Sequence, residues 1–247
     1  MSYTIEYMKL LGHCGEGKNS VTEGIASDKL SIDDLIENLR MADFCYPLKS
    51  SLIYFMDTIY FDVEKDVTDE NIAKMNMVVE IIAEDLERFI RIEQRVAKAK
   101  DGKPKIGVED IEVDDLEKID VDINKNFNML TAFGSFPVVI LMEYYVFETV
   151  FPGLKNFFEL RLAIKPAQHD FFNKLFVVIQ KVVNYASKEI HFENSRKLFT
   201  TIKKIPQLKE FGGESLANQQ LTKWTAAKEE AAKPKELDIM AGLPDLT

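Results

Sequence analysis

A glycine-rich segment near the start of the chain is the first candidate for chemistry. It runs from Gly12 to Lys18 and has the glycine and lysine spacing of a phosphate-binding loop, whose backbone N–H groups hold nucleotide phosphates. Such a loop needs a hydroxyl side chain after the lysine to reach Mg²⁺, and Asn19 stands there. It also needs strands alternating with helices, a pattern that the chain lacks. We therefore interpret the segment as a glycine-capped helix end and keep nucleotide binding as a third alternative.

Residues that bind metal ions are present, but they do not fall at the required spacing. From Asp110 the acidic residues alternate as in a calcium-binding loop, but Asp115 replaces the required glycine and Val121 the final glutamate. No pair of cysteine or histidine residues has the spacing of a zinc site. Signatures of a serine nucleophile are also missing. We therefore predict no catalytic residue, no metal site and no cofactor, and we expect that the protein is not an enzyme.

Composition restricts the partners and the compartment. The 247 residues include 41 acidic and 31 basic side chains, and the resulting charge of −10 repels nucleic-acid phosphate and anionic lipid. The longest apolar run, 136–142, is far shorter than the roughly 20 residues that span a membrane. Two cysteines, Cys14 and Cys45, and a start without a basic region favour a cytoplasmic location. We expect no nucleic-acid partner, no membrane span, and two free thiols packed in the core.

Apolar residues recur at intervals of three and four along the chain, which predicts an all-α fold. Ser31 followed by Asp34 predicts the capped start of a helix. The longest helix carries one apolar stripe that needs partners along its whole length, which favours stacked helical hairpins. Pro152 and Gly153 predict a turn. The predicted helices cover residues 32–41, 43–62, 69–98, 154–164, 168–190 and 192–205, and the strongly apolar stretch 127–151, with a buried helix at 136–142, is predicted to be central to the core.

These helices predict an irregular armadillo-like solenoid over residues 1–213, with an acidic loop at 101–124. After residue 213 the composition turns to alanine, lysine, glutamate and proline, so 214–247 is predicted to be an extended polar C-terminal tail. Scattered apolar anchors favour a tail that docks on a partner, and a mobile linker is the alternative. The candidate partner-binding residues are Trp224, Leu237, Ile239 and Met240.

The glycine-rich segment also carries a family resemblance. It resembles a stretch of the cytosolic region of inositol trisphosphate receptors, where a leucine pair, a cysteine, Glu-Gly-Lys-Asn and Thr-Glu follow one another at this spacing. The likeness continues more faintly to about residue 95. The matching positions are Leu10, Leu11, Cys14, Glu16, Gly17, Lys18, Asn19, Thr22 and Glu23.

In those receptors and in the related ryanodine receptors, this stretch belongs to the RIH region, an armadillo-type helical solenoid. The resemblance implies a non-enzymatic scaffold in calcium signalling, with protein partners in a larger assembly on the cytosolic face of an intracellular membrane. No position here matches the family's ligand-binding basic residues, so no inositol phosphate site is expected within this chain. A stand-alone structural subunit of a cytoskeletal or ciliary assembly is the alternative, and an enzyme that binds nucleotide through Gly12–Lys18 comes third.

Overall fold

The structure is a computed structural model, and it describes residues 2–16, 20–42, 45–61, 69–101, 138–160, 168–205 and 213–232. Within these ranges the chain is built from helices and contains no strand, which confirms the all-α fold class. None of the helices described is long and apolar enough to cross a membrane. The α-helices are α1 (Ser2–Gly15), α2 (Ser20–Lys29), α3 (Ile32–Met41), α4 (Tyr46–Met56), α5 (Asp69–Asp101), α6 (Val138–Tyr144), α7 (Phe151–Leu160), α8 (His169–Val183), α9 (Glu189–Ile202) and α10 (Gly213–Ala232).

Helix α3 begins as its sequence predicts. The Ser31 hydroxyl accepts a hydrogen bond from the backbone N–H of Asp34 at 3.2 Å, and the Asp34 carboxylate accepts one from the Ser31 N–H at 3.2 Å. This reciprocal pair satisfies two N–H groups that a helix start leaves without partners. The buried face of α3, formed by Ile32, Leu35, Ile36 and Leu39, packs against α5.

Helix α5 is the long helix predicted from the apolar stripe. Met75, Val79, Ile82, Leu86 and Phe89 are all buried, at the spacing of three and four that places them on one face. Additional buried residues flank the stripe and widen the face, so α5 contacts both α3 and α8. This width suits a helix enclosed by several neighbours rather than the narrow seam of a coiled coil.

The predicted turn at Pro152–Gly153 is wrong, because α6 and α7 form one continuous helical run. A π-helical turn, Tyr145–Val150, joins them, and the backbone N–H of Phe151 donates to the carbonyl of Val146 five residues earlier. A proline in a regular α-helix clashes with the carbonyl four residues before it, and a wider turn relieves that clash. A second π-helical turn, Asp57–Phe61, extends α4.

The predicted single helix over 168–190 is also wrong. Helix α8 ends at Val183, and α9 begins at Glu189. Between them the N–H groups of Asn184 and Tyr185 bond to carbonyls three residues earlier, a tightened last turn that ends α8. Ile190, which lies seven residues after Val183 and so continues the apolar spacing of α8, is exposed because the break rotates α9 relative to that stripe.

Part of the predicted tail is a helix in contact with the rest of the chain. Helix α10 packs against α9, with Ala217 fully buried. The acidic loop from residue 102 onward and residues 233–247 lie outside the described residues. The prediction that both cysteines pack in the core is wrong for Cys14, which is exposed; Cys45 is half-buried, and neither forms a disulfide.

Candidate functional site

A cleft of about 430 Å³ lies between α1, α4 and the run that joins α6 to α7, and we call it the α1–α4 cleft. Polar side chains reach it from α1 and α4 at regular helical spacing. Lys9 and His13 lie four residues apart on α1, and Ser50 and Tyr54 four residues apart on α4. Residues four apart share one face of a helix, so two facing helices direct these groups to one space. The apolar part of the wall is formed by Ile5, Pro47, Leu141 and Pro152.

Two glycines allow α1 to lie close against α4. A Cβ atom at Gly12 would stand 2.6 Å from the ring of Tyr54, and one at Gly15 would stand 2.5 Å from the side chain of Ile59. The glycines of the segment that has the spacing of a phosphate-binding loop therefore serve helix packing here. Residues 12–15 belong to α1, whereas 17–19 lie outside the described part of the chain.

At one end of the cleft, Tyr54 joins α4 to His13 of α1 and to Glu16, the residue that follows α1. Its hydroxyl donates to the carboxylate of Glu16 and lies 2.9 Å from His13 Nδ1. Burial and the bond to Glu16 raise the pKa of Tyr54, while the bonds from Tyr54 and His13 lower the pKa of Glu16. The tyrosine therefore remains a protonated donor and the glutamate a charged acceptor, an arrangement that fixes the position of α1.

The hydroxyl of Ser50, in the wall of the cleft, lacks within the part of the chain that the structure describes the hydrogen bond that a buried hydroxyl normally makes. Its Oγ atom is buried and has no hydrogen-bond partner among the described residues, although it belongs to the cleft wall. A serine acts as a nucleophile when an adjacent base accepts its proton. No described residue accepts the proton of the Ser50 hydroxyl.

Glu148 borders the other side of the cleft and lies next to a buried histidine, His191. Glu148 Oε1 lies 3.6 Å from His191 Nε2 and 3.9 Å from Lys188 Nζ, and Glu143 Oε1 lies 3.5 Å from His191 Nδ1. The fully buried imidazole is stacked on Phe147, with 4.5 Å between ring centres. Burial lowers the pKa of His191 from 6.5 to about 4, against the opposite effect of Glu143. His191 is therefore uncharged at neutral pH.

A second polar cluster joins three helical segments inside the core. Lys49 Nζ lies 2.8 Å from both carboxylate oxygens of Asp85, and the hydroxyl of Tyr145 donates to Asp85 Oδ2 at 2.8 Å. Lys49 and Asp85 are almost completely buried. Burial and the adjacent Asp85 raise the pKa of Tyr145, so its hydroxyl stays a donor. This cluster was not predicted from the sequence, where its only signal is a lysine and an aspartate on the otherwise apolar faces of α4 and α5.

Of the four predicted partner-binding residues, one lies in the described part of the chain. The indole N–H of Trp224 donates to the backbone carbonyl of Ser187 at 2.9 Å, and its ring centre lies 5.7 Å from that of Phe192. Trp224 thus contacts α9 and the turn before it. Leu237, Ile239 and Met240 lie outside the described residues, and binding of a partner by these four residues stays a prediction.

No protein-family model, curated protein or solved structure matches the chain. In the seven ranges described, no group of three or more histidine, cysteine or acidic side chains is arranged to hold a metal ion. The resemblance to inositol trisphosphate and ryanodine receptors stays a prediction from sequence.

Proposed function

We propose that the chain is a non-enzymatic helical scaffold that binds a partner protein through the outer surface of its first two helices. The observation that carries the proposal is a set of large apolar side chains exposed on α1 and α2, which we call the α1–α2 outer face. Tyr3 is 80 % exposed, Leu10 60 % and Val21 66 %. Tyr7 and Ile25 complete the set. Exposed apolar patches mark protein-binding sites on soluble domains, and α1 contacts α2 directly.

The three exposed apolar residues of α1 lie on the same face of the helix. Tyr3, Tyr7 and Leu10 follow one another at intervals of four and three, so they form one line along the helix. The rings of Tyr3 and Tyr7 are stacked, with 6.2 Å between centres and 7° between planes. Tyrosine is enriched among the residues that dominate binding energy at interfaces. The opposite face of α1, around Ile5, packs on α4, so α1 is apolar on two sides.

A partner that presents an apolar helical face fits this surface best, because helix pairs of a solenoid cover one another in the same way. That chemistry supports a scaffold like the armadillo-type regulatory region of calcium-release channels. It also supports the alternative, a stand-alone subunit of a cytoskeletal or ciliary assembly. The close packing of Gly12 and Gly15 in α1 disfavours the third alternative, nucleotide binding.

Site-specific photo-crosslinking in cells tests the proposal. With the crosslinking residue at Leu10, we expect one discrete protein adduct, identified by mass spectrometry, that disappears when Tyr3 and Tyr7 are both changed to serine. The matched control places the same residue at Lys181, an exposed position on α8, where that adduct should not form. Circular dichroism checks that the serine variant remains folded. No adduct at Leu10, or the same adducts at both positions, would refute a partner on the outer face.

A further inference from the structure

The exposed face of α1 is longer than the three apolar residues named above. Cys14 is exposed and follows Leu10 by four residues, so it continues the line that begins at Tyr3. At 3.6 residues per turn the four positions fall within an arc of about 60° around the helix axis. The opposite face, around Ile5, is buried against α4. We call the exposed line the α1 stripe, and its members are Tyr3, Tyr7, Leu10 and Cys14.

The α1 stripe has the spacing of a coiled-coil seam. Its intervals of four, three and four residues are those of alternating d and a positions over two heptads. A seam this narrow is covered by one helix of the same spacing, in contrast to the broad buried face of α5. The described residues leave the stripe exposed, with Tyr3 at 80 % and Leu10 at 60 %, so the covering helix comes from outside this part of the chain. A second copy of α1 has the required spacing.

The order of large and small side chains along the stripe favours an antiparallel pair of α1 helices. In such a pair a positions face d positions, so Tyr3 meets Cys14 of the second copy and Tyr7 meets Leu10. Each aromatic ring is then opposite a smaller side chain, which is how facing positions interdigitate. A two-fold axis makes each of these contacts twice. A parallel pair would instead place tyrosine against tyrosine and leave the small thiols facing each other.

The charges beside the stripe also fit an antiparallel pair. Glu6 and His13 occupy the two g positions, which face each other across an antiparallel seam, so each carboxylate meets an imidazole of the second copy. Glu6 bonds to Lys9 at 3.0 Å within its own helix, and the contacts of His13 with Tyr54 and Glu16 use Nδ1. On the other side of the seam the e positions hold only uncharged residues, Thr4 and Leu11. The arrangement therefore brings no like charges together.

We propose that the α1 stripe binds a second copy of this chain, through an antiparallel and two-fold symmetric pair of α1 helices. This inference rests on the proposed function, because it identifies the partner of the α1–α2 outer face as the chain itself. Two heptads form a small interface, and small interfaces give weak, reversible association. The dimer should therefore depend on concentration, with a dissociation constant in the micromolar range.

Sedimentation equilibrium of the full chain under reducing conditions tests the dimer. We expect the apparent mass to rise from one chain to two across the micromolar range. Leu10→Glu places a carboxylate in the seam opposite Tyr7 and should weaken the association at least tenfold. The matched control is Val177→Glu, which makes the same change at an exposed apolar residue of α8 and should stay within twofold of the wild type. Circular dichroism checks that both variants are folded.

A cysteine crosslink tests the antiparallel register. In Tyr3→Cys, a short bis-maleimide should join position 3 of one copy to Cys14 of the other. Within one helix these positions are about 16 Å apart, beyond the reach of the reagent, so the crosslinked peptide reports on two copies. Adding Cys14→Ser to this variant should abolish the product. A Cys14–Cys14 crosslink in the wild type would show a parallel pair and overturn the proposed arrangement.

The result for the wild type separates this inference from the proposed function. A chain that stays monomeric at several hundred micromolar, or an equal loss with Val177→Glu, would overturn the dimer. If the photo-adduct at Leu10 then contains a different protein, the proposed function stands without the dimer. If the chain is monomeric and no adduct forms at Leu10, both proposals fail.

Discussion

Two neighbouring residues of α4, Lys49 and Ser50, belong to polar clusters with opposite properties. Lys49 is buried and its charge is matched by Asp85, which also accepts a bond from Tyr145. Ser50 is a buried hydroxyl without a partner among the described residues, in a cleft whose carboxylates outnumber its ammonium groups. A cluster whose groups satisfy one another holds helices together, whereas a buried hydroxyl without a hydrogen bond contributes nothing of this kind. The predictions below test this distinction, starting with the largest expected effect.

Breaking the core cluster should cause the largest loss of stability. Asp85→Ala leaves the Lys49 ammonium buried without a counter-charge, and such a change costs about 3–5 kcal/mol of unfolding free energy. The double variant with Lys49→Met and Asp85→Leu should lose less, because replacing a buried ion pair by apolar side chains removes both charges together. Urea denaturation measures both variants. A double variant no more stable than Asp85→Ala would argue against an ion pair as the source of the loss.

His191 should make the stability depend on pH. Above its ordinary pKa of 6.5 the imidazole is neutral in both folded and unfolded chains, so its contribution to folding is fully present. As the pH falls from 6.5 towards the folded pKa of about 4, the unfolded chain binds a proton that the folded chain excludes, and the free energy of unfolding decreases. The contribution lost by pH 5 is about 2 kcal/mol.

The matched variant for this prediction is His191→Gln, which removes the titrating ring. Glu143, Glu148 and Lys188 face the ring and are present in both proteins, so the difference between the two pH profiles isolates His191. Urea midpoints at pH 7 and pH 5 provide the comparison. If the variant loses as much stability as the wild type between these values, the buried histidine is not the cause.

A smaller effect should separate the glycine of the α1–α4 contact from a glycine in open space. Gly12→Ala places a methyl group against the ring of Tyr54 and should cost about 1–2 kcal/mol of unfolding free energy. Gly24→Ala, in α2, meets nothing within 4 Å and should stabilise the protein by about 0.5–1 kcal/mol because alanine favours helix. Thermal and urea denaturation measure the change in unfolding free energy for each variant, which should be a loss for Gly12→Ala and a gain for Gly24→Ala. Stabilisation by both substitutions would mean that α1 does not need glycine to pack on α4.

Local features of the fold could be predicted from the sequence, and features made by distant residues could not. The Ser31 cap and the stripe of α5 depend on residues a few positions apart, and both were predicted. The break after Val183 was missed because the apolar spacing continues across it. Asp85 lies 36 residues from Lys49 and 60 from Tyr145, so only the packing of three helical segments brings them together. The cleft likewise combines residues from both halves of the chain.

The most direct measurement is the free energy of unfolding of Glu148→Gln at pH 7, beside that of Asp85→Ala. Glu148 lies at the border of the α1–α4 cleft, 3.9 Å from the exposed Lys188 ammonium, whereas Asp85 belongs to the buried cluster that holds the core. We therefore predict that Glu148→Gln stays within about 0.5 kcal/mol of the wild type, since a solvent-exposed ion pair adds little to stability. A loss of about 2 kcal/mol or more of unfolding free energy would mean that Glu148 stabilises the fold as Asp85 does, and it would contradict the distinction between the two clusters.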